Sequence, residues 1–282
     1  MAATSYTTPA LTKARKTMPS QLPCYVVNLA TDTRRRASMQ QRLDERGIRA
    51  HFFEAVDGRI MNDTELESHV DRDKAAREYG PLSRGEIGTS LSHIFLYRAM
   101  VQNNIPYAVI LEDDVCLSAD FATLLDTRAS DGLASLFTPE QAVMVQLTHV
   151  QRGYKAGARP IGNTGREIVK PYGGVWLTGG YFITQAAARN LAQALYPVWA
   201  VADFWNRFEQ LGLLTLWALN PNALWEADEA QQSTLSAHRV ARPKKNKTIG
   251  QRLRQAKNDL VVKPFLVKTL TRQTSPGQPA AC

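Results

Sequence analysis

Three consecutive carboxylates, Glu112, Asp113 and Asp114, follow the apolar residues 108–111 in the stretch YAVILEDDV. An uninterrupted apolar run of this length predicts a buried strand, with the acids arriving at its C-terminal end. That end is where open α/β sheets bind ligands. Like charges this close repel one another unless a cation neutralises them. Hard cations such as Mn²⁺ or Mg²⁺ take carboxylate oxygens together with phosphate oxygens. Side chains alternate along an extended segment, so Glu112 and Asp114 are expected on one side and Asp113 on the other. That acid-x-acid pattern suits a metal gripping a diphosphate, with Glu112 and Asp114 as ligands. A solvated acidic turn is the bland alternative, and the buried strand ahead of the acids weighs against it.

Other groups could serve the same chemistry. Ser83 and Glu86 form an S-x-x-E capping box ahead of an apolar pattern at Ile87, Leu91, Ile94 and Phe95, which predicts a helix. On it Glu86, Ser90, His93 and Tyr97 share a polar stripe, either an ordinary solvated face or a wall of the site. Gly85 and Gly88 would let another segment or a ligand approach closely. Arg34, Arg35 and Arg36 open an earlier helix after the first strand, where guanidinium groups and a helix N-terminus both suit phosphate. Asp203 lies in VWAVADFW, one acid among apolar and aromatic residues. It caps a helix or, being surrounded by apolar groups, acts as a base. The five tryptophans, Trp176, Trp199, Trp205, Trp217 and Trp225, taken singly are more often core than sugar platforms.

The elements that must position these groups alternate. Strands are predicted at 24–29, 51–56, 107–111, 143–147, 181–184 and 213–219. Helices are predicted at 34–46, 63–79, from Ser83 to Asn103, 185–195 and 203–211. Residues 152–174, rich in Gly, Arg and Pro, read as a long loop or hairpin. Strand–helix alternation predicts an α/β fold with a mostly parallel central sheet. Residues 1–22 are expected to be disordered, 23–240 to form the domain, and 241–282 to be a basic tail that is partly an amphipathic helix.

The net charge of +8 is not spread over the fold. Residues 239–282 carry eleven Lys or Arg against one acid, a net of +10, so the remainder carries about −2. Ile249, Leu253, Ala256 and Leu260 fall on one face among basic residues, which suggests an anionic membrane surface as partner. Nucleic acid is not expected, because the cluster lacks interleaved aromatics. The three cysteines show no paired or zinc spacing and suggest a reducing compartment. With no apolar leader and no membrane-spanning run, the chain is expected to be cytoplasmic, peripheral on the inner face of the membrane.

In chain order, VVNLATDTRRRASM (with Asn28, Leu29, Arg35, Arg36 and Met39), FFEAVDG, LSRGEIGTSLSHIFLYRAM and ILEDDV resemble the motifs of glycosyltransferase family 25. This family includes bacterial lipooligosaccharide and collagen galactosyltransferases. TGGYFIT, Asp203 and QQSTLSAHR are similar to its weaker landmarks. The resemblance covers about residues 24–240, and departs from the family at Thr89, where a Cys is usual. It implies a GT-A-like fold and inverting transfer of a hexose, often galactose, from a UDP-sugar. The acceptor implied is a saccharide or glycolipid such as a lipopolysaccharide core, and the metal is Mn²⁺ or Mg²⁺ at Glu112 and Asp114. Asp203 is then the first candidate base and Glu86 the second. Asn28, Arg35, Arg36, His93 and Asp113 are donor or diphosphate contacts. Two rivals remain: a metal-dependent phosphoesterase or nuclease built on the acids and His93, and a non-catalytic nucleotide-sugar-binding protein.

Overall fold

The computed structural model describes residues 20–128, 132–226 and 263–274. The first half follows the expected alternation closely. Strand β1 (Cys24–Asn28) leads to α1 (Thr33–Asp44), which starts where the Asp32 carboxylate accepts the Arg35 amide at 3.2 Å. Then come β2 (His51–Glu54), α2 (Asp63–Ser68), α3 (Arg72–Glu78), α4 (Arg84–Gln102) and β3 (Tyr107–Glu112). The single helix expected over 63–79 is broken at His69–Asp71. There the backbone bonds to Val198 in both directions, at 2.8 and 2.9 Å, and Asp71 caps a new start. A tertiary contact supplies the hydrogen bonds that helix continuation would have made.

After β3 the chain forms β4 (Val115–Leu117), α5 (Phe121–Leu125) and β5 (Val143–Gln146). Residues 152–174 are three short strands, β6 (Arg152–Tyr154), β7 (Arg159–Ile161) and β8 (Arg166–Val169). The rest is β9 (Gly180–Thr184), α6 (Gln185–Ala194), α7 (Trp205–Gln210), β10 (Thr215–Asn220) and β11 (Leu224–Glu226).

Eight strands form one sheet in the order β2-β1-β3-β9-β5-β10-β8-β7. The α/β class holds, but the sheet is mixed rather than mostly parallel. β1 runs parallel to β2 and β3, and β5 parallel to β10, while β9 is antiparallel to both β3 and β5. Residue pattern reports burial of a strand on its two faces and not its direction, so the reversal left no sequence signal. Its consequence is local. Gly180 opens β9 opposite Leu111, so residues 174–179 enter the sheet beside the acids that end β3.

Alternation along the strands divides the core between two faces. Tyr25, Val27, Ala108, Ile110, Tyr181 and Ile183 pack with α4, α6 and α7. Cys24, Val26, Val109, Leu111 and Phe182 pack with Met39 and Leu43 of α1 and with α5. The helix α4 is buried on more than its apolar stripe: Ser90, His93 and Tyr97 are each at most 2% exposed. The solvated reading thus fails for these three, while Glu86 stays half-buried.

Residues 263–274 are not a detached tail. β12 (Val267–Thr269) pairs antiparallel with β6, Leu270 is buried, and Lys268 meets Glu167 at 2.5 Å. Buried Arg166 binds Asp120 through two nitrogens, at 2.7 and 2.8 Å, and reaches Gln273 at 2.9 Å. Within the segment expected as tail, FLVKTL supplies a strand for an open edge, with Val267 and Leu270 inward. The expectations for residues 1–19 and for 227–262, including QQSTLSAHR and the amphipathic helix, lie outside the described residues. No helix among the described residues is long and apolar enough to cross a membrane.

Candidate active site

A cavity of about 550 Å³ opens at the C-terminal ends of β1 and β3, lined by Asn28, Arg35, His93, Glu112, Asp113 and Asp114 among others. Its opposite wall is the loop after β2 and the start of α4, including Asp57, Gly58, Arg59, Arg84 and Gly85. Two glycines let that wall form. A Cβ on Gly88 would stand 2.5 Å from the Val56 carbonyl oxygen and 2.6 Å from the Gly58 nitrogen. The Ser92 hydroxyl donates to the Gly88 carbonyl and accepts the Val56 amide at 2.8 Å. Because backbone is on the other side, a methyl group there forces the loop outward. Gly88→Ala is expected to lower stability by about 1–3 kcal/mol, read as a shift in urea midpoint. An unchanged midpoint would mean the loop yields freely.

The three acids diverge from the expected alternation. β3 ends at Glu112 and residues 113–114 turn toward β4, so period-two geometry stops there. Asp113 accepts from the Asn28 amide at 2.6 Å and from Arg35 at 3.1 Å. Asp114 meets the same guanidinium at 3.3 Å. Glu112 accepts instead from the Thr178 hydroxyl. Burial drives the Glu112 carboxyl well above the ordinary carboxylate range. Asp114 adds to this, the Thr178 hydrogen bond opposes it, and Asp113 and Asp203 add smaller repulsions. Burial also raises Asp114, against the pull of Arg35. Arg35 is itself raised, because Asp114 and Asp113 outweigh its own burial.

These donors fit a divalent metal in one respect. They are hard oxygens, and one guanidinium leaves both Glu112 and Asp114 disfavoured as anions. No group of three His, Cys, Asp or Glu among the described residues is disposed around one point. A cation here would therefore take its remaining ligands from phosphate oxygens and water, as Mg²⁺ commonly does. The same observation gives no support to a two-metal centre built with His93.

His93 lines the cavity and is 1% exposed. Its Nδ1 pairs with the Tyr181 hydroxyl at 2.7 Å, and that hydroxyl pairs with Tyr97 at 2.6 Å. Its Nε2 is buried and unpartnered, as is Asn28 Oδ1. Buried polar atoms without partners are rare, and both belong to residues lining the cavity. Burial pushes the His93 imidazolium down to about 4. The folded chain thus refuses a proton that the unfolded chain accepts below about 6.5. Stability is full above that pH and falls as pH drops toward 4, by up to about 3 kcal/mol from this residue. Urea midpoints at pH 7 and pH 4.5 should show a smaller drop in His93→Gln than in the unaltered chain. Equal drops would assign the effect to other groups.

The remaining candidates divide. Arg36 is exposed and stacks on Phe52, 4.4 Å from the ring centre, outside the cavity lining. Glu86 completes the capping box, accepting from the Ser83 amide and hydroxyl at 2.8 Å each. Asp203 approaches from the second half of the chain and accepts the Leu177 amide at 3.2 Å. Its charge is felt at Glu112. Leu177 has φ +76°, a left-handed conformation that costs a non-glycine residue about 1–3 kcal/mol. It is held by Asp203, by Trp205 Nε1 on its carbonyl at 3.0 Å, and by Gln146 at 3.3 Å. Thr178 was noted only as the start of the TGGYFIT landmark, and Leu177 and Gln146 were not singled out by sequence. Their types are ordinary, and only the reversed β9 brings them here.

The sequence matches known proteins along the same stretch. Glycosyltransferase family 25 (LPS biosynthesis protein) matches residues 21–205. The lipooligosaccharide biosynthesis protein lex-1 of Haemophilus influenzae is 27% identical over 198 residues, 64% of this chain and 64% of its own. Human procollagen galactosyltransferase 2 is 26% identical over 174 residues, 60% of this chain and 27% of its own. The mouse inactive glycosyltransferase 25 family member 3 is 28% identical over 187 residues, 64% of this chain and 30% of its own. This chain spans less than two thirds of the length of each of these relatives. The family match takes in β1, the loop after β2, the capped helix α4, the acids that end β3 and Asp203, and the chain belongs to glycosyltransferase family 25.

Proposed function

We propose that the chain transfers a hexose, galactose in the first instance, from a UDP-sugar to a saccharide acceptor with inversion at the anomeric carbon. The observation that carries this reading is the cavity that gathers Glu112, Asp113, Asp114 and Arg35 beside two buried polar atoms without partners. A diphosphate suits the charged wall. Asn28 Oδ1 and His93 Nε2 would gain partners from the nucleotide sugar. Glu112 and Asp114 would hold Mn²⁺ or Mg²⁺, which when bound neutralises the diphosphate. Arg35 adds a fixed positive charge beside them. Arg36, outside the cavity lining, would contact the donor only by leaving Phe52.

Asp203 is the candidate base. It takes the proton of the acceptor hydroxyl while that oxygen bonds to the anomeric carbon. The bond from that carbon to the diphosphate oxygen breaks, and UDP leaves with the electron pair. Glu86 ranks second because its carboxylate already serves Ser83. The fold so used is GT-A-like, with the donor at β1 and β3 and the acceptor on the side built by residues 174–206. The name of lex-1 supports a lipooligosaccharide-type acceptor. A cytoplasmic reaction at a membrane surface fits such an acceptor.

The test is calorimetric titration of UDP and then UDP-galactose, with and without Mn²⁺. Binding that depends on Mn²⁺ is expected, and absence of UDP binding in both conditions would defeat the reading. An inactive relative and the hold of Arg35 on two of the acids favour one alternative, a nucleotide-sugar-binding protein without turnover. UDP binding without transfer or donor hydrolysis would select it.

A further inference from the structure

Trp176 has no role in the donor site just described, yet it is 52% exposed and two residues from the Thr178 hydroxyl that binds Glu112. Large aromatic side chains left open to water beside a polar site are candidates for ligand contact. Its loop is fixed rather than loose. Gln146 donates to the Trp176 carbonyl at 3.3 Å, Asp203 accepts the Leu177 amide, and Asn206 donates to the Val175 carbonyl at 3.2 Å. The ring is held at one edge. A Cβ on Gly174 would lie 2.3 Å from the indole nitrogen and 3.2 Å from each of the two carbons bonded to it, so the N–H edge of the indole abuts Gly174. The N–H edge of the indole is thereby held against the protein, and half of the residue faces water.

We propose that Trp176 is a stacking platform for a sugar ring of the acceptor saccharide. This rests on the transferase reading and deepens it. A pyranose offers an apolar C–H face that an indole covers well, while its hydroxyls stay free for polar partners. The nucleotide is the other ligand with a flat face. It is disfavoured because Trp176 is outside the lining of the cavity that holds Asn28, Arg35 and Asp113. The segment that carries Trp176 is instead tied to Asp203, the candidate base for the acceptor hydroxyl. The base is hydrogen-bonded to the residue next to the platform, so a ring on Trp176 is held near the group that must deprotonate it.

The experiment uses saturation-transfer NMR on lactose, maltose and N-acetyllactosamine with the full chain, in the presence of UDP. Calorimetric UDP affinity is measured on the same samples. Trp176→Ala is expected to weaken the bound disaccharide roughly tenfold and to leave UDP affinity within about twofold. Trp176→Phe should recover most of the loss. Gly174→Ala, which displaces the ring without removing it, should weaken the sugar as well. Equal disaccharide binding in Trp176→Ala would overturn the platform. Loss of UDP affinity in that variant would overturn it in favour of a nucleotide contact. A wild-type chain that binds UDP and none of the sugars would overturn the platform alone. Sugar bound through Trp176 without any UDP binding would sink the transferase reading and leave the platform standing.

Discussion

Asp114→Ala is expected to reduce hexose transfer by on the order of a thousandfold, the scale of losing one fixed electrostatic stabiliser of a developing charge. In the proposed mechanism its carboxylate serves where a departing diphosphate is neutralised, next to Glu112 and Arg35. The fold should not suffer. The carboxyl of Asp114 is raised by burial and by neighbouring acids, so it is held as an anion at some cost to the folded state. Removing it relieves repulsion on Glu112 and Asp113 while Arg35 keeps Asp113 as partner. The expected pattern is a melting temperature equal to or above that of the unaltered chain, with turnover lost. Retained turnover would remove Asp114 from the metal assignment. Lost turnover with a large fall in melting temperature would show a structural role instead.

Asp203→Asn separates chemistry from positioning. The Asp203 carboxylate has two jobs in the proposed mechanism, holding the Leu177 amide and taking a proton. An asparagine oxygen still accepts the amide hydrogen, so the left-handed turn at Leu177 keeps its anchor, but it cannot act as a base. Loss of a positioned base costs roughly 10²–10⁴ in rate. The fall is therefore expected in kcat, with UDP affinity unchanged. Asp203→Ala should lose the anchor too, and raise the KM for the acceptor in addition. Near-normal kcat in the asparagine variant would exclude Asp203 as base. Glu86→Gln would then be the next variant to assay, although its link to the Ser83 amide makes a stability loss the expected result there.

Local pattern was a good guide wherever burial and capping set the structure. The apolar run 108–111 is β3, Ser83 and Glu86 cap α4 as read, and Asp32 starts α1. Gly88 was expected to allow close approach, and Val56 and Gly58 are what approaches. Asn28, Arg35, His93 and the three acids, singled out from a sequence span of 87 residues, line one cavity. Readings failed where a side chain could find a partner far along the chain. The solvated reading of the α4 polar stripe failed: Ser90 bonds to the Ala200 carbonyl, and His93, which lines the cavity, meets Tyr97 at Tyr181. Arg36 found Phe52, and the segment after 262 found β6.

The α/β class, the alternation of the first half, the family and the acidic end of β3 were legible in the sequence alone. Each of these is written in contiguous residues, because strand burial, helix caps and motif spacing act over a few positions. Tertiary structure alone decided that β9 runs antiparallel between β3 and β5. Strand direction is set by how the chain crosses over, and alternation looks the same read either way. That one reversal sends residues 174–179 past the C-terminal end of β3. It puts Thr178 on Glu112, ties Leu177 to Asp203 and leaves Trp176 open beside them.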